Sequence, residues 1–280
     1  MITKRSARAS LAEETLRLVE QGEYTSSNGK VVDLAESVSR SVRGTVSISP
    51  EEVLEVARAG EAKSVIEVTS ESTLQALIRL QSEGAPGLAC LNFASAKNAG
   101  GGFLGGSQAQ EESLARSSAL YPCLTSVPRY YETNRACRSG LYTDWMIWSP
   151  EVPFFRDDDG ALLDVPVLAS VITAPAPNAG AVAKNQPHEL PMVEPTLRRR
   201  AERVLQLAAS RGVQTFVLGA WGCGVFHNDP RMVAGVFADL IREGAAFANV
   251  FPRFVFAIYD TTSSGEVRRA FDIVIPQTSS

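Results

Sequence analysis

Metal-binding and disulfide patterns are absent from this chain. Four cysteines (Cys90, Cys123, Cys137, Cys223) show no CxxC spacing, and two histidines (His188, His227) stand far apart. That scatter argues against a zinc site and for reduced thiols, so the expected compartment is the cytoplasm. No apolar run approaches the ~20 residues of a membrane span. The first residues are basic but lack an apolar segment behind them, so no secretory signal is expected. A net charge of -4 argues against a surface built to hold nucleic acid directly, although a local basic pocket is compatible with it. Internal repeats and long Gly/Pro-rich linkers are missing too. What remains is 280 residues, 45% hydrophobic and 21% charged, an ordinary soluble composition able to bury a substantial core. A monomer is expected.

Glycine is the residue present in excess at one place. Asn98-Ala-Gly-Gly-Gly-Phe-Leu-Gly-Gly-Ser-Gln-Ala-Gln-Glu-Glu112 packs five glycines into seven positions. Such density costs backbone entropy and contributes no side-chain packing, which suits a main chain pressed against a ligand. Gln110, Glu111 and Glu112 follow at an expected helix start and supply groups able to do chemistry.

Around this loop the patterning alternates. Residues 7–21 read as an amphipathic helix stopped by Gly22, with Asn28-Gly29 as a hairpin turn after it. Residues 45–48 read as a strand, and Ser49-Pro50-Glu51-Glu52 as a helix start. Residues 64–69 predict a strand, and Ser70 a cap for a helix running to about Glu83. Residues 88–93 form an apolar run suited to a buried strand, followed by the glycine loop and a helix over about 108–120. Residues 119–131 read as loop. A hairpin turns at Asp159-Gly160, and residues 165–174 form a strand. Residues 194–210 form a helix whose Arg198-Arg-Arg200 reads as a solvated basic face. Residues 215–218 and 253–259 are buried strands, with Asn228 or Asp229 capping a helix that starts at Pro230. The fold class expected is α/β: an α/β/α sandwich on a mixed central sheet, with residues 1–60 as an N-terminal extension packed on a core of residues 61–280.

Two glycine loops compete for the chemistry. Gly100 to Gly105 matches G-x-G-x-x-G, but six residues intervene after the strand, and the acidic second strand of a dinucleotide fold is missing. The other loop runs Gly219, Ala220, Trp221, Gly222, Cys223, Gly224, Val225, Phe226. It lacks Gly-Lys-Ser/Thr, yet its N–H groups and the following helix start suit an anion. Its bland reading is a tight strand-to-helix turn. Phe226 is either core or a platform for a sugar. Cys223 reads better as a small buried thiol than as a nucleophile, and His227 has no Ser or Cys nucleophile motif beside it. No metal is required.

The stretch from Asn98 to Glu112 resembles the GGG…QEE signature of bacterial-type poly(ADP-ribose) glycohydrolases, which are macrodomain proteins. Glu14-Thr15-Leu16, 141–144, 149–156, 173–180 and 219–226 are similar to that family as well. The resemblance implies a macrodomain-like fold and hydrolysis of ribose–ribose O-glycosidic bonds in poly(ADP-ribose), without a cofactor. It implies ADP-ribosylated proteins as partners and reversal of ADP-ribosylation in the DNA damage response. Glu112 would be the acid/base, with Glu111 and Asn98 holding ribose hydroxyls. Gly100, Gly101, Gly102 and Gln110 would shape the substrate loop. Residues 219–225 would bind the diphosphate, and Phe226 would order a sugar. A non-catalytic ADP-ribose reader and a mono-ADP-ribosyl hydrolase are the alternatives. Phe254, Tyr259 and Phe93 are candidates to stack adenine.

Glycosidases usually set two carboxylates across the bond. Adjacent helix positions point about 100° apart, so Glu111 and Glu112 are expected to diverge and one Glu to serve as both acid and base. The helix start favours an ionised Glu112, and substrate burial is expected to turn it into an acid.

Overall fold

Polar caps and glycine turns set most element boundaries in the computed structural model, which describes residues 3–55 and 63–278. Thr3 accepts from the Ser6 N–H at 3.1 Å and opens α1 (Lys4–Gln21), which Gly22 closes at φ 75°. Strands β1 (Glu23–Thr25) and β2 (Val31–Asp33) pair antiparallel across the Asn28-Gly29 turn. Next come α2 (Ala35–Gly44), β3 (Val46–Ile48) and β4 (Val65–Thr69). The helix expected to open at Ser49-Pro50 is not found: residues 51–55 are not helical, and 56–62 lie outside the described residues. Helix α3 (Thr73–Ser82) is capped by Ser72 rather than Ser70. Ser72 Oγ accepts from Gln75 N at 3.0 Å while Gln75 Oε1 accepts from Ser72 N at 2.9 Å, a reciprocal capping box.

Strand β5 (Leu88–Phe93) is buried over its first five residues, as an apolar run predicts. Helix α4 (Gln110–Ser117) is shorter than expected, because Ser118 turns extended and bridges Phe154 while Ala119 N donates to Pro153 O at 3.1 Å. The segment expected as loop after it holds α5 (Leu120–Thr125) and α6 (Arg129–Ala136). Burial of Leu120, Leu124, Tyr130 and Tyr131 stabilises these short helices where local propensity alone would not. The long hairpin of β6 (Met146–Arg156) and β7 (Leu162–Ala174) turns through 157–161. Then follow α7 (Ala179–Asn185), α8 (Val193–Ser210), β8 (Thr215–Leu218), α9 (Pro230–Ile241), β9 (Arg253–Ala257) and α10 (Glu266–Val274). Asp229 is the N-cap of α9 and Pro230 its first residue.

The fold is mixed α/β, with a mixed central sheet flanked by helices. The chain divides into two compact units. The first comprises Met1–Ser49, Asn92–Ala136 and Trp145–Ala174. It holds the antiparallel run β3-β6-β7. One of its apolar clusters joins Leu18, Tyr24, Val32, Leu34 and Phe155; another joins Ala12, Phe103 and Ala115. The second comprises Pro50–Leu91, Cys137–Asp144 and Pro175–Ser280. There the first residues of β5 run parallel to β8, β8 to β9, and β9 to β4. Its core is aromatic: Phe251 sits 4.9 Å from Phe254 and 6.0 Å from Phe216, ring centre to ring centre. Full burial of one such ring stabilises by roughly 2–3 kcal/mol. Among the described residues, no helix is long and apolar enough to cross a membrane.

Candidate active site

Three consecutive side chains at the start of α4 fold back onto the end of β5 and the loop behind it. Gln110 Oε1 accepts from Phe93 N at 2.9 Å. Glu111 Oε2 accepts from Ser95 N at 2.6 Å, and its Oε1 from Asn92 Nδ2 at 3.3 Å. Asn92 in turn reaches Thr173 Oγ1 at 3.2 Å. Glu112 Oε1 accepts from Gly102 N at 3.0 Å. Asn92, Ser95 and Thr173 are site residues that the motif does not contain. Asn92 carries a signal of its own, as a lone amide within an apolar strand that must find partners when buried.

The glycines are needed because the carboxylates lean on them. Gly100 and Gly101 take φ 66° and 59°, where a side chain is strained. A Cβ built on Gly101 would stand 2.5 Å from Glu112 Oε1 and 3.1 Å from Glu111 Oε2. Both carboxylates therefore lie against one glycine, the long side chains bridging the divergence of their Cβ bonds. A Cβ on Gly100 would press the Phe103 ring at 2.8 Å. Beyond Gly102 the chain makes one 3₁₀ turn, Phe103–Gly105, and no helix opens at the glycines as a dinucleotide fold requires.

The two acids differ in environment. Glu111 is only 3% exposed. Burial pushes its carboxyl up to about 8; the Ser95 N–H and the Asn92 amide pull it back, neighbouring Glu112 raises it further, and the Gly100 N–H lowers it. Glu112 is partly exposed, with Oε2 outside the Gly102 hydrogen bond. Asn98 is exposed; its main chain closes a turn, with Ser95 Oγ accepting from Asn98 N at 3.2 Å and Asn98 O from Gly101 N at 3.0 Å.

Helix α1 grips the far half of the loop. Arg5 Nε donates to Gly105 O and Arg8 Nε to Gly106 O, each at 2.8 Å. Gly106 lies so close that a Cβ there would collide with the Arg5 carbonyl. Arg116 Nη1 donates to Ser107 O at 2.7 Å, and Thr15 Oγ1 holds Arg116 O at 2.5 Å. Thr15 belongs to the Glu14-Thr15-Leu16 stretch noted above.

The second unit carries the other glycine loop. Cys223 N donates to Ala220 O at 3.1 Å and Asn228 N to Gly222 O at 3.1 Å, while Gly222 sits at φ 76° with no room for a Cβ beside Ala176. Gly224 and Val225 are exposed, Val225 by 73%. Phe226 is half-buried, its ring centre 6.0 Å from that of Tyr142. Trp221 is fully buried, its indole packed against Phe237. The Cys223 thiol is pushed up to about 12 by burial and by Asp229, which disfavours the thiolate a nucleophile needs. Phe254 is fully buried and drops out as an adenine platform, leaving half-buried Phe93 and exposed Tyr259.

The basic run of α8 also reads differently in three dimensions. Arg200 is fully buried, donating to Asp144 Oδ1 at 2.9 Å, Pro175 O at 2.6 Å and Leu141 O at 2.9 Å. Arg198 and Arg199 remain on the solvated face as expected. Among the described residues no group of His, Cys, Asp and Glu is arranged to hold a metal ion.

Known proteins decide the family. The family model described as "Microbial-type PARG, catalytic domain" matches residues 12–157. The poly(ADP-ribose) glycohydrolase of Thermomonospora curvata is 44% identical, with TM-score 0.91, covering 96% of this chain and 99% of its own. The chain belongs to the microbial-type poly(ADP-ribose) glycohydrolases. The T. curvata glycohydrolase bound to the inhibitor ADP-HPD matches at 43% identity and TM-score 0.88, over 95% of this chain and 98% of that one. The glycohydrolase of Deinococcus radiodurans in complex with ADP-ribose matches at 48% identity and TM-score 0.79, over 86% and 98%. No curated protein matches. This glycohydrolase is thus a glycosidase acting on poly(ADP-ribose), and the non-catalytic reader falls away.

Proposed function

We propose that Glu112 is the acid/base of this glycohydrolase. Access carries the assignment. Both oxygens of Glu111 are engaged by Ser95 and Asn92 in a buried pocket, whereas Glu112 is held through one oxygen beside the glycines and is partly exposed. One carboxyl would protonate the leaving ribose oxygen and then take a proton from the attacking water. Glu111 and Asn98 would hold hydroxyls of the ribose being cleaved, with Gly100, Gly101, Gly102 and Gln110 shaping the loop around it. The N–H groups of residues 219–225 would take the diphosphate, and Phe226, backed by Tyr142, would pack on the adjoining sugar.

Substitution of Glu112 by Gln is expected to cut turnover of labelled polymer by at least about 10³-fold, toward the upper end for a positioned acid or base, while calorimetry still detects ADP-ribose binding. Turnover near the wild-type level would sink the assignment.

The cellular reading rests on the family likeness for the partners and the damage response, and on composition for the compartment. We infer a cytoplasmic monomer that removes the polymer from ADP-ribosylated proteins, in the response to DNA damage, without touching nucleic acid directly.

A further inference from the structure

The first turn of α1 is built against its own dipole. A helix start favours acidic residues, yet this first turn has none and carries Lys4 and Arg5, with Arg8 in the turn after it. Arg5 and Arg8 point their guanidinium groups at the glycine loop, each spending Nε on a loop carbonyl. Arg116 lies behind them, only 4% exposed, with its guanidinium on Ser107 O and the Gln108 side chain. Burial disfavours its charged form, the charge of Arg8 does so further, and Glu112 and Asp158 work the other way. Among the described residues, no carboxylate comes within 4.0 Å of a guanidinium nitrogen of Arg5, Arg8 or Arg116; the ion pairs of this unit, such as Arg156–Glu14 at 3.3 Å, lie elsewhere. In a chain of net charge -4 this is a local concentration of positive charge.

Its position is close to the acids. Gly102, whose N–H holds Glu112, and Gly105, whose carbonyl holds Arg5, are three residues apart. That length of chain spans at most ~10 Å.

The substrate has a matching feature. Every ribose–ribose bond in the polymer is flanked by two diphosphates, one on the unit being released and one on the unit left behind. Residues 219–225 account for one. We propose that Lys4, Arg5 and Arg8, with Arg116 adding its field from behind, form a subsite for the second diphosphate, so that the enzyme reads the ADP-ribose unit next to the one it cleaves. The inference rests on cleavage taking place at Glu112. An anion there would relieve the crowding of like charges.

The test compares ligand lengths in the Glu112→Gln background, where binding is read without turnover. ADP-ribose and oligomers of two to four units are titrated at several salt concentrations, with and without Arg5→Gln plus Arg8→Gln. The expected result is a preference for oligomer over monomer that falls at least tenfold in the double variant, together with a shallower salt dependence. Arg5→Lys plus Arg8→Lys, which keeps the charge, should restore most of it. An unchanged preference overturns the subsite. So does an equal loss of monomer and oligomer affinity, which would make the arginines a loop clamp only. Wild-type turnover in Glu112→Gln would instead fault the acid/base assignment, and the length preference would still be measurable with a non-hydrolysable oligomer.

Discussion

At the scale of single residues the enzyme keeps two adjacent carboxyls in different surroundings. Glu111 is walled in and pushed up to about 8, chiefly by burial. Between the unfolded value near 4.3 and about 8, the folded chain binds a proton that the unfolded chain does not. Its stability must therefore fall as pH rises through that window. Replacing Glu111 by Gln removes the titration while keeping a group that accepts from Ser95 N. The substituted protein should gain on the wild type as pH rises, by at least about 1 kcal/mol at pH 8, with the advantage shrinking toward pH 4.3. Urea unfolding at pH 5 and pH 8 measures it, and parallel stability curves would refute it. The protonated state has a use as well. It spares Glu112 a second negative charge where both side chains meet Gly101.

At the scale of elements, legibility follows the range of the interaction that sets each boundary. Gly22, Gly29, Asp229-Pro230 and the glycine loop act within a few residues, and their elements lie where the sequence places them. Helices α5 and α6 are invisible locally because distant packing stabilises them. The grip of α1 on Gly105 and Gly106 links residues about a hundred positions apart, and no spacing rule reports that. The cap of α3 is an intermediate case, since Ser70 and Ser72 are both good caps and only Ser72 has a Gln three positions on. Ser72→Ala should therefore destabilise by about 1 kcal/mol, whereas Ser70→Ala should stay within about 0.5 kcal/mol. Equal costs in thermal or chemical unfolding would show that the reciprocal box contributes nothing.

At the scale of the whole molecule, charge placed by the fold matters more than charge counted along the chain. The run Arg198-Arg-Arg200 looks uniform in sequence, but a helix turns consecutive residues about 100° apart and so sends one of the three inward. Arg200 ties Asp144, Leu141 and Pro175 together, and residues 141–144 include the Tyr142 that backs Phe226. Burial alone would raise the Asp144 carboxyl; the hydrogen bond from Arg199 and the charges of Arg200 and Arg199 hold it below the usual value. Arg200→Met would leave the carbonyls of Pro175, Leu141 and Tyr142 without their donor and a largely buried carboxylate with Arg199 alone. The expected cost is about 3 kcal/mol near neutral pH. The sign with pH follows from the lowered carboxyl. Its stabilising contribution is present above the unfolded value near 3.9 and is lost as pH falls through the folded one. The deficit of Arg200→Met should thus narrow on acidification, and ADP-ribose affinity should fall with it at neutral pH as Tyr142 loses its support. Chemical unfolding from pH 7 to pH 3, paired with calorimetric titration of ADP-ribose, tests both parts. A deficit that stays constant with pH would mean that Arg200 acts through packing and its carbonyl bonds rather than through Asp144.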